Sequence, residues 1–407
     1  MDYNRILRIT NCFLVITGFQ LHTFESSTGR FLFSLWALMN FIVLTLFYTI
    51  CVNQHFTQSP LLKIFNDLSP FFWKLIRLHL LLGVTVYIFR IFQMPGIGRS
   101  CNSISSWTTR TRPRKCAIAK AFAYFLFFST FFISLCFAVY IAYEMKFKMP
   151  PWDNIFISLG LFIPHFTLAG ALKLYTLNCW LMQDELSQVK LELADVLSYQ
   201  FPIEIYNEVS TRNDVVKITE INVQKLLEQH YNRLLQLASE LQLLNVTLEK
   251  DLLLLLVMNS ICLLAAVHTL VYFQTSWYLF LSPSWKRIFY AENVAVYVLI
   301  SWDYLCLCIS VGFFNKLKWQ ILERIERALR SKKYLASTCY ANLKDVRYLL
   351  TFALRLRLFN IVDINSANLI MMHVILGIII SIFVIYHYLN DQIVSIAEQV
   401  DSITIDD

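Results

Sequence analysis

Asp303 lies inside the apolar run SWDYLCLC, residues 301–308. An uncompensated charge at the middle of a membrane helix costs on the order of 3 kcal/mol on insertion scales, so this carboxylate must face protein or water. Lys173 and Arg77, each in a different apolar stretch, are the cations that could answer it. The chemistry on offer is an ion pair, a contact to a ligand or ion, or a neutral hydrogen-bonded acid. Trp302, Tyr304, Tyr140, Phe156, Phe162 and His165 supply aromatic faces with a few polar tips, a combination that suits a pocket for a small organic molecule. With 33 Phe and 20 Tyr in the chain, each serves equally as packing. A third group lies in IIISIFVIYHYLNDQ, residues 378–392. Ile378, Ile382 and Ile385 recur at helical spacing and could form a constriction that closes by dewetting, while His387 would add a titratable imidazole. The same isoleucines fit contact with lipid or a neighbouring helix, and His387 with Tyr388 fits an interfacial pair at headgroup level.

No catalytic constellation accompanies these residues. The chain has no Gly-rich phosphate loop, no His-Glu-x-x-His zinc motif and no Gly-x-Ser-x-Gly elbow, so an enzyme is not expected. Its ten cysteines fall in apolar runs or in basic segments without a Cys-x-x-Cys knuckle, and neither a metal site nor another cofactor is expected from them.

The elements that must carry these residues follow from composition. Of 407 residues 57% are hydrophobic and only 15% charged, more apolar surface than a water-soluble globule could hide. Nine Gly and nine Pro are too few for a turn-rich barrel, so the spans are expected to be helices. Stretches of about 20 apolar residues fall at 31–52, 71–93, 118–143, 154–182, 251–274, 291–314 and 368–389. Lys and Arg concentrate before the first span, in the second loop (Arg110 to Lys115) and between spans six and seven (Lys316 to Arg357). This places the N-terminus inside and the C-terminus outside the membrane that the seven spans cross. The formal charge of +7 is accounted for by this topology, and no nucleic-acid partner is expected.

The expected organisation is a cytoplasmic segment 1–30, spans one to four over 31–182, cytoplasmic extensions over 183–250, spans five and six over 251–314, a cytoplasmic helical segment 315–367, the last span 368–389 and an outer tail 390–407. Leu186, Val189, Leu193 and Val196 carry the fourth span onward as an amphipathic helix, with a break at 198–214. Leu227, Tyr231, Leu234, Leu237, Leu241, Leu244 and Leu248 form a helix-packing seam into span five. A further helical run is expected from about Leu343 to Phe359. The extensions are expected to pack as one anchor bundle, which leaves the sequon Asn245-Val246-Thr247 inside and unmodified.

An inside N-terminus, seven all-α spans, a long inner segment before span five and an apolar last span together resemble the insect gustatory and odorant receptor superfamily. The gustatory branch carries Thr-Tyr, five hydrophobic residues and Gln-Phe in its last span. Here Ile380-Ser381, the spacer Ile382 to Tyr386 and His387-Tyr388 keep the spacing with none of the four flanking residues identical. The resemblance implies a tetrameric, ligand-gated cation channel for tastants or other small organic ligands, homomeric or mixed with related receptors. It further implies assembly through the inner bundle, ligand bound among the outer halves of spans two to six, and a pore lined by the last span at Ile378, Ser381, Ile382, Ile385, His387 and Tyr388. Two other expectations stay open: a non-conducting interaction protein of the same fold, and a secondary transporter with a midplane site near Asp303.

Overall fold

The computed structural model describes residues 3–25, 27–57, 70–110, 151–199, 212–275, 283–330, 337–358, 362–363 and 365–405, together with 128, 129, 132, 135, 136 and 139. Helix α1 (Tyr3–Ile16) leads into an antiparallel hairpin of β1 (His22–Glu25) and β2 (Arg30–Phe33). Long helices follow: α2 (Leu35–Thr57), α3 (Pro70–Arg110), α4 (Pro151–Tyr199), α5 (Arg212–Thr275) and α6 (Pro283–Arg330). After α7 (Ser337–Tyr348) come a π turn (Leu349–Ala353), a short ribbon of β3 (Arg357–Leu358) with β4 (Val362–Asp363), and α8 (Ser366–Ile405). Among the described residues five helical stretches are long and apolar enough to cross a membrane: Leu35–Gln54, Lys74–Ser103, Gln224–His268, Tyr297–Arg330 and Ile370–Ala397. The range expected as span four lies within α4, and that expected as span three falls largely outside the described residues.

Three boundaries differ from expectation. The first apolar run begins as strand, because Phe31 is held by Asn102 of α3 through two hydrogen bonds, 2.7 Å to its N–H and 3.1 Å to its carbonyl, and the helix starts only at Leu35. The run expected as helix from Leu343 to Phe359 passes into the π turn, which closes where the Leu354 N–H donates to the Leu349 carbonyl at 2.9 Å. Residues five apart diverge on an α-helix; the wider turn brings buried Leu349 and Leu354 to the same side. The last helix does not stop at Leu389 but continues to Ile405, since no Gly or Pro follows Gly377 to end it.

One seam organises the bundle. Along α5, Leu227, Leu234, Leu241, Leu248, Leu255 and Cys262 follow one another at seven-residue steps, and so do His230, Leu237, Leu244, Asp251, Met258 and Ala265. All twelve are buried, the signature of a heptad packed on its neighbours for most of the helix. The expected seam up to Leu248 is therefore the first half of a longer one. Leu186 and Leu193 of α4 bury into the same core and Val189 is buried as well; the side chain of Val196 lies outside the described residues. The sequon residue Asn245 is buried here, where it accepts from Tyr175 Oη and donates to the Arg355 carbonyl at 3.3 Å. Nearby, burial raises the Glu185 carboxyl above its ordinary value, with Arg233 pulling it back and Glu192 and Asp184 adding to the rise.

α2 approaches α3 at Gly83, where a methyl group would meet the ring end of Tyr48 and sit 2.9 Å from Pro164 Cγ. Tyr48 is itself fixed, donating its hydroxyl to the Leu80 carbonyl at 2.7 Å. Gly83→Ala is expected to force these helices apart and to cost about 1–3 kcal/mol, read as a lower thermal midpoint of the detergent-solubilised chain. An unchanged midpoint would show that this contact gives way freely.

Candidate functional site

α8 packs on α5 and α6 by one edge. Ile380 and Val384 are buried on that edge, while Ile378, Ile382 and Ile385 are respectively 53%, 63% and 49% exposed in the single chain. Three isoleucines at helical spacing therefore stand on the side of α8 turned away from its own bundle. Ser381 spends its hydroxyl on its own helix, donating to the Gly377 carbonyl at 2.8 Å. His387 belongs to the packed side: its ring centroid lies 5.1 Å from that of Phe71 on α3, and its Nε2 lies 4.0 Å from Asp391 Oδ2 one turn on. The imidazole thus stands apart from the isoleucine face. Tyr388, half-buried, follows it.

Asp303 faces protein. Its Oδ1 lies 2.6 Å from Lys173 Nζ, with both side chains at 3% exposure or less. Lys173, and not Arg77, is the answering cation. Polar contacts at 183/310 and 190/320 continue the same α4–α6 contact, where Gln183 donates to the Ser310 carbonyl at 2.6 Å and Lys190 to Gln320 at 2.7 Å. The numbers rise together on both helices, so the two run parallel, and Arg324 adds a further tie by donating to the Lys190 carbonyl at 3.3 Å.

The aromatic candidates divide. Trp302 Nε1 donates to Ser129 at 2.5 Å, whereas Tyr304, on the other side of α6, sits 4.6 Å edge-on to His373 of α8 and donates to the Leu252 carbonyl at 3.4 Å. Phe162 stacks near Phe166, and His165 turns toward α3 and α5, where it meets His79 and Cys262. Tyr140 and the Phe156 side chain lie outside the described residues. The structure brings Tyr304 to the base of α8 and His165 to a separate cluster, so these candidates do not share one wall.

Sequence reasoning missed the most deeply buried charge. Arg90, near the end of the second expected span, is fully buried and makes a two-pronged bond to Asp251, 3.1 and 3.0 Å, with its guanidinium 4.0 Å above the Phe19 ring. Gln93, in the amide orientation that satisfies its neighbours, adds donors to both Asp251 oxygens at 3.1 and 2.8 Å. Asp251 interrupts the leucine seam, which is the signal that could have found it.

No protein-family model and no curated protein sequence matches the chain. Among solved structures, the olfactory receptor OR5 from Machilis hrabei, determined in complex with eugenol, superposes with a TM-score of 0.61 at 9% sequence identity, over 95% of this chain and 100% of that one. At that identity the likeness is one of fold. The likeness of fold extends over nearly the whole chain.

Proposed function

We propose that the protein is a chemosensory receptor that works as a ligand-gated cation channel of the gustatory type, set in the plasma membrane with its N-terminus inside and its C-terminus outside. Four copies, identical or mixed with related receptors, assemble through the inner ends of α4 to α7. A small organic molecule bound among the outer halves of the helices biases α8 toward an open arrangement. The observation that carries this reading is the bare face of α8: Ile378, Ile382 and Ile385 point away from their own bundle, as a hydrophobic gate between subunits requires. Support for the ligand class comes from the olfactory receptor of the same fold, which was solved with eugenol. A transporter with a midplane carboxylate is less well supported, since Asp303 is already engaged by Lys173.

The test is electrical. Ile382→Ser wets the proposed constriction and is expected to raise the resting cation conductance several-fold in cells expressing the chain, while Ile380→Ser, on the packed edge, lowers the folded yield instead. Assembly at the cell surface with no current from either the native chain or Ile382→Ser would favour the non-conducting reading.

A further inference from the structure

Three donor atoms from three helices converge at one point in the bundle. His79 on α3 and His165 on α4 face each other through Nε2 at 2.6 Å, and Cys262 Sγ on α5 lies 3.4 Å from His165 Nε2 and 3.7 Å from His79 Nε2. The three side chains are each 4% exposed, and every pair of their ligand atoms is within 4.8 Å. Along both α3 and α5 the cluster is eleven residues from the Arg90–Asp251 pair (90 − 79 and 262 − 251), about 16 Å at helical rise, so it forms a separate level of the bundle.

Ordinary core packing does not account for this arrangement. The imidazoles are nearly parallel, 26° apart with centroids at 4.9 Å, and present the same nitrogen to each other and to the thiol. Among the described residues His165 Nδ1 is buried with no hydrogen-bond partner, so the ring's polar contacts are made through the cluster. Cys262 occupies a heptad position of α5. The other two non-aliphatic side chains among the twelve seam positions, His230 and Asp251, each face a charged residue on another helix, Glu192 and Arg90. On that pattern Cys262 has its partners in the two histidines.

Two imidazoles and a thiolate are a soft ligand set, suited to the closed-shell ions Cu⁺ and Zn²⁺. Charge selects between them. Cu⁺ with one thiolate is neutral, whereas Zn²⁺ leaves a net positive charge in a site that, among the described residues, includes no carboxylate. Metal–nitrogen bonds of about 2.0 Å and metal–sulfur bonds of about 2.3 Å, spread at about 120° around a three-coordinate ion, place ligand nitrogens about 3.5 Å apart and nitrogen and sulfur about 3.7 Å apart. The His79 sulfur–nitrogen distance of 3.7 Å matches, that of His165 at 3.4 Å is slightly short, and the two rings need to part from 2.6 Å by about an ångström.

We propose that His79, His165 and Cys262 form a three-coordinate site for a monovalent soft metal ion, Cu⁺, which fastens α3, α4 and α5 together. The ion enters as Cu⁺ and no electron moves. The Cys262 thiol gives its proton to water as the Cu–S bond forms; the hydrogen bond between the two Nε2 atoms breaks, the donor ring carries its proton at Nδ1 instead of Nε2, and both freed Nε2 lone pairs form Cu–N bonds.

The test uses the full chain in detergent with Cys12, Cys116 and Cys136 replaced by serine, which removes the exposed described thiols and one outside the described residues. Ag⁺ serves as a redox-inert probe. About one Ag⁺ per chain is expected to survive gel filtration in the presence of glutathione and to raise the thermal midpoint. Cys262→Ser and His79→Gln, both eluting as folded protein, are expected to lose the bound ion and the midpoint shift. X-ray absorption of the Cu⁺-loaded protein needs no variant at the site and is expected to give two nitrogens and one sulfur in the first shell. Equal Ag⁺ retention by Cys262→Ser, or a first shell of sulfur alone, would overturn the assignment.

Discussion

Arg90→Met is expected to remove most of the folded, monodisperse protein, lowering stability by about 3–5 kcal/mol, because it leaves Asp251 buried opposite an apolar side chain. Asp251→Leu is expected to be as damaging for the converse reason, since it strands a guanidinium that is fully buried. The double variant Arg90→Met with Asp251→Leu should recover most of the loss, because an apolar pair of similar volume carries no desolvation cost. That non-additivity is the measurement, read from thermal midpoints of the three variants by fluorescence-detected gel filtration. If the double variant is as unstable as the sum of the singles, Gln93 and Phe19 rather than the charge pair hold this level of the bundle.

Why the sequence showed some of this and hid the rest is visible in α5. Its leucines repeat at seven-residue steps and are chemically uniform, so the seam from Leu227 to Leu248 could be read without any knowledge of what it packs against. Its exceptions could not. Asp251, His230 and Cys262 look like noise in an apolar pattern until Arg90, Glu192, His79 and His165 arrive from helices far away in the chain, with sequence separations of 161 for Arg90–Asp251 and 183 for His79–Cys262. Asp303 was legible because a lone carboxylate in an apolar helix demands a cation, and few were available; depth along its span already disfavoured Arg77, and the geometry supplies the contact to Lys173. The face of α8 was half legible. Helical spacing puts Ile378, Ile382 and Ile385 on one face, and the three are exposed, but only the contact with Phe71 shows that His387 belongs to the other side. The β1–β2 hairpin gave no signal, because His22–Glu25 and Arg30–Phe33 are four residues each and are fixed by Asn102 of α3.

The second large effect concerns Lys173 and Asp303, where two roles predict different outcomes. If the pair is a tie between parallel helices, Lys173→Met and Asp303→Leu should each cost about 3–5 kcal/mol, and the double variant should regain stability much as at Arg90. Ligand-evoked current, where the channel reading holds, should then return with the folded protein, because nothing about the ligand depended on either charge. If instead Asp303 contacts a ligand or a conducted cation, the double variant should fold well and still lose its response or its selectivity. The geometry favours the tie: an N–O distance of 2.6 Å with both groups buried leaves Asp303 Oδ1 already engaged, and the Gln183 and Lys190 contacts extend the same α4–α6 contact. Measuring stability and current on the same four proteins separates a collapsed fold from a silent site.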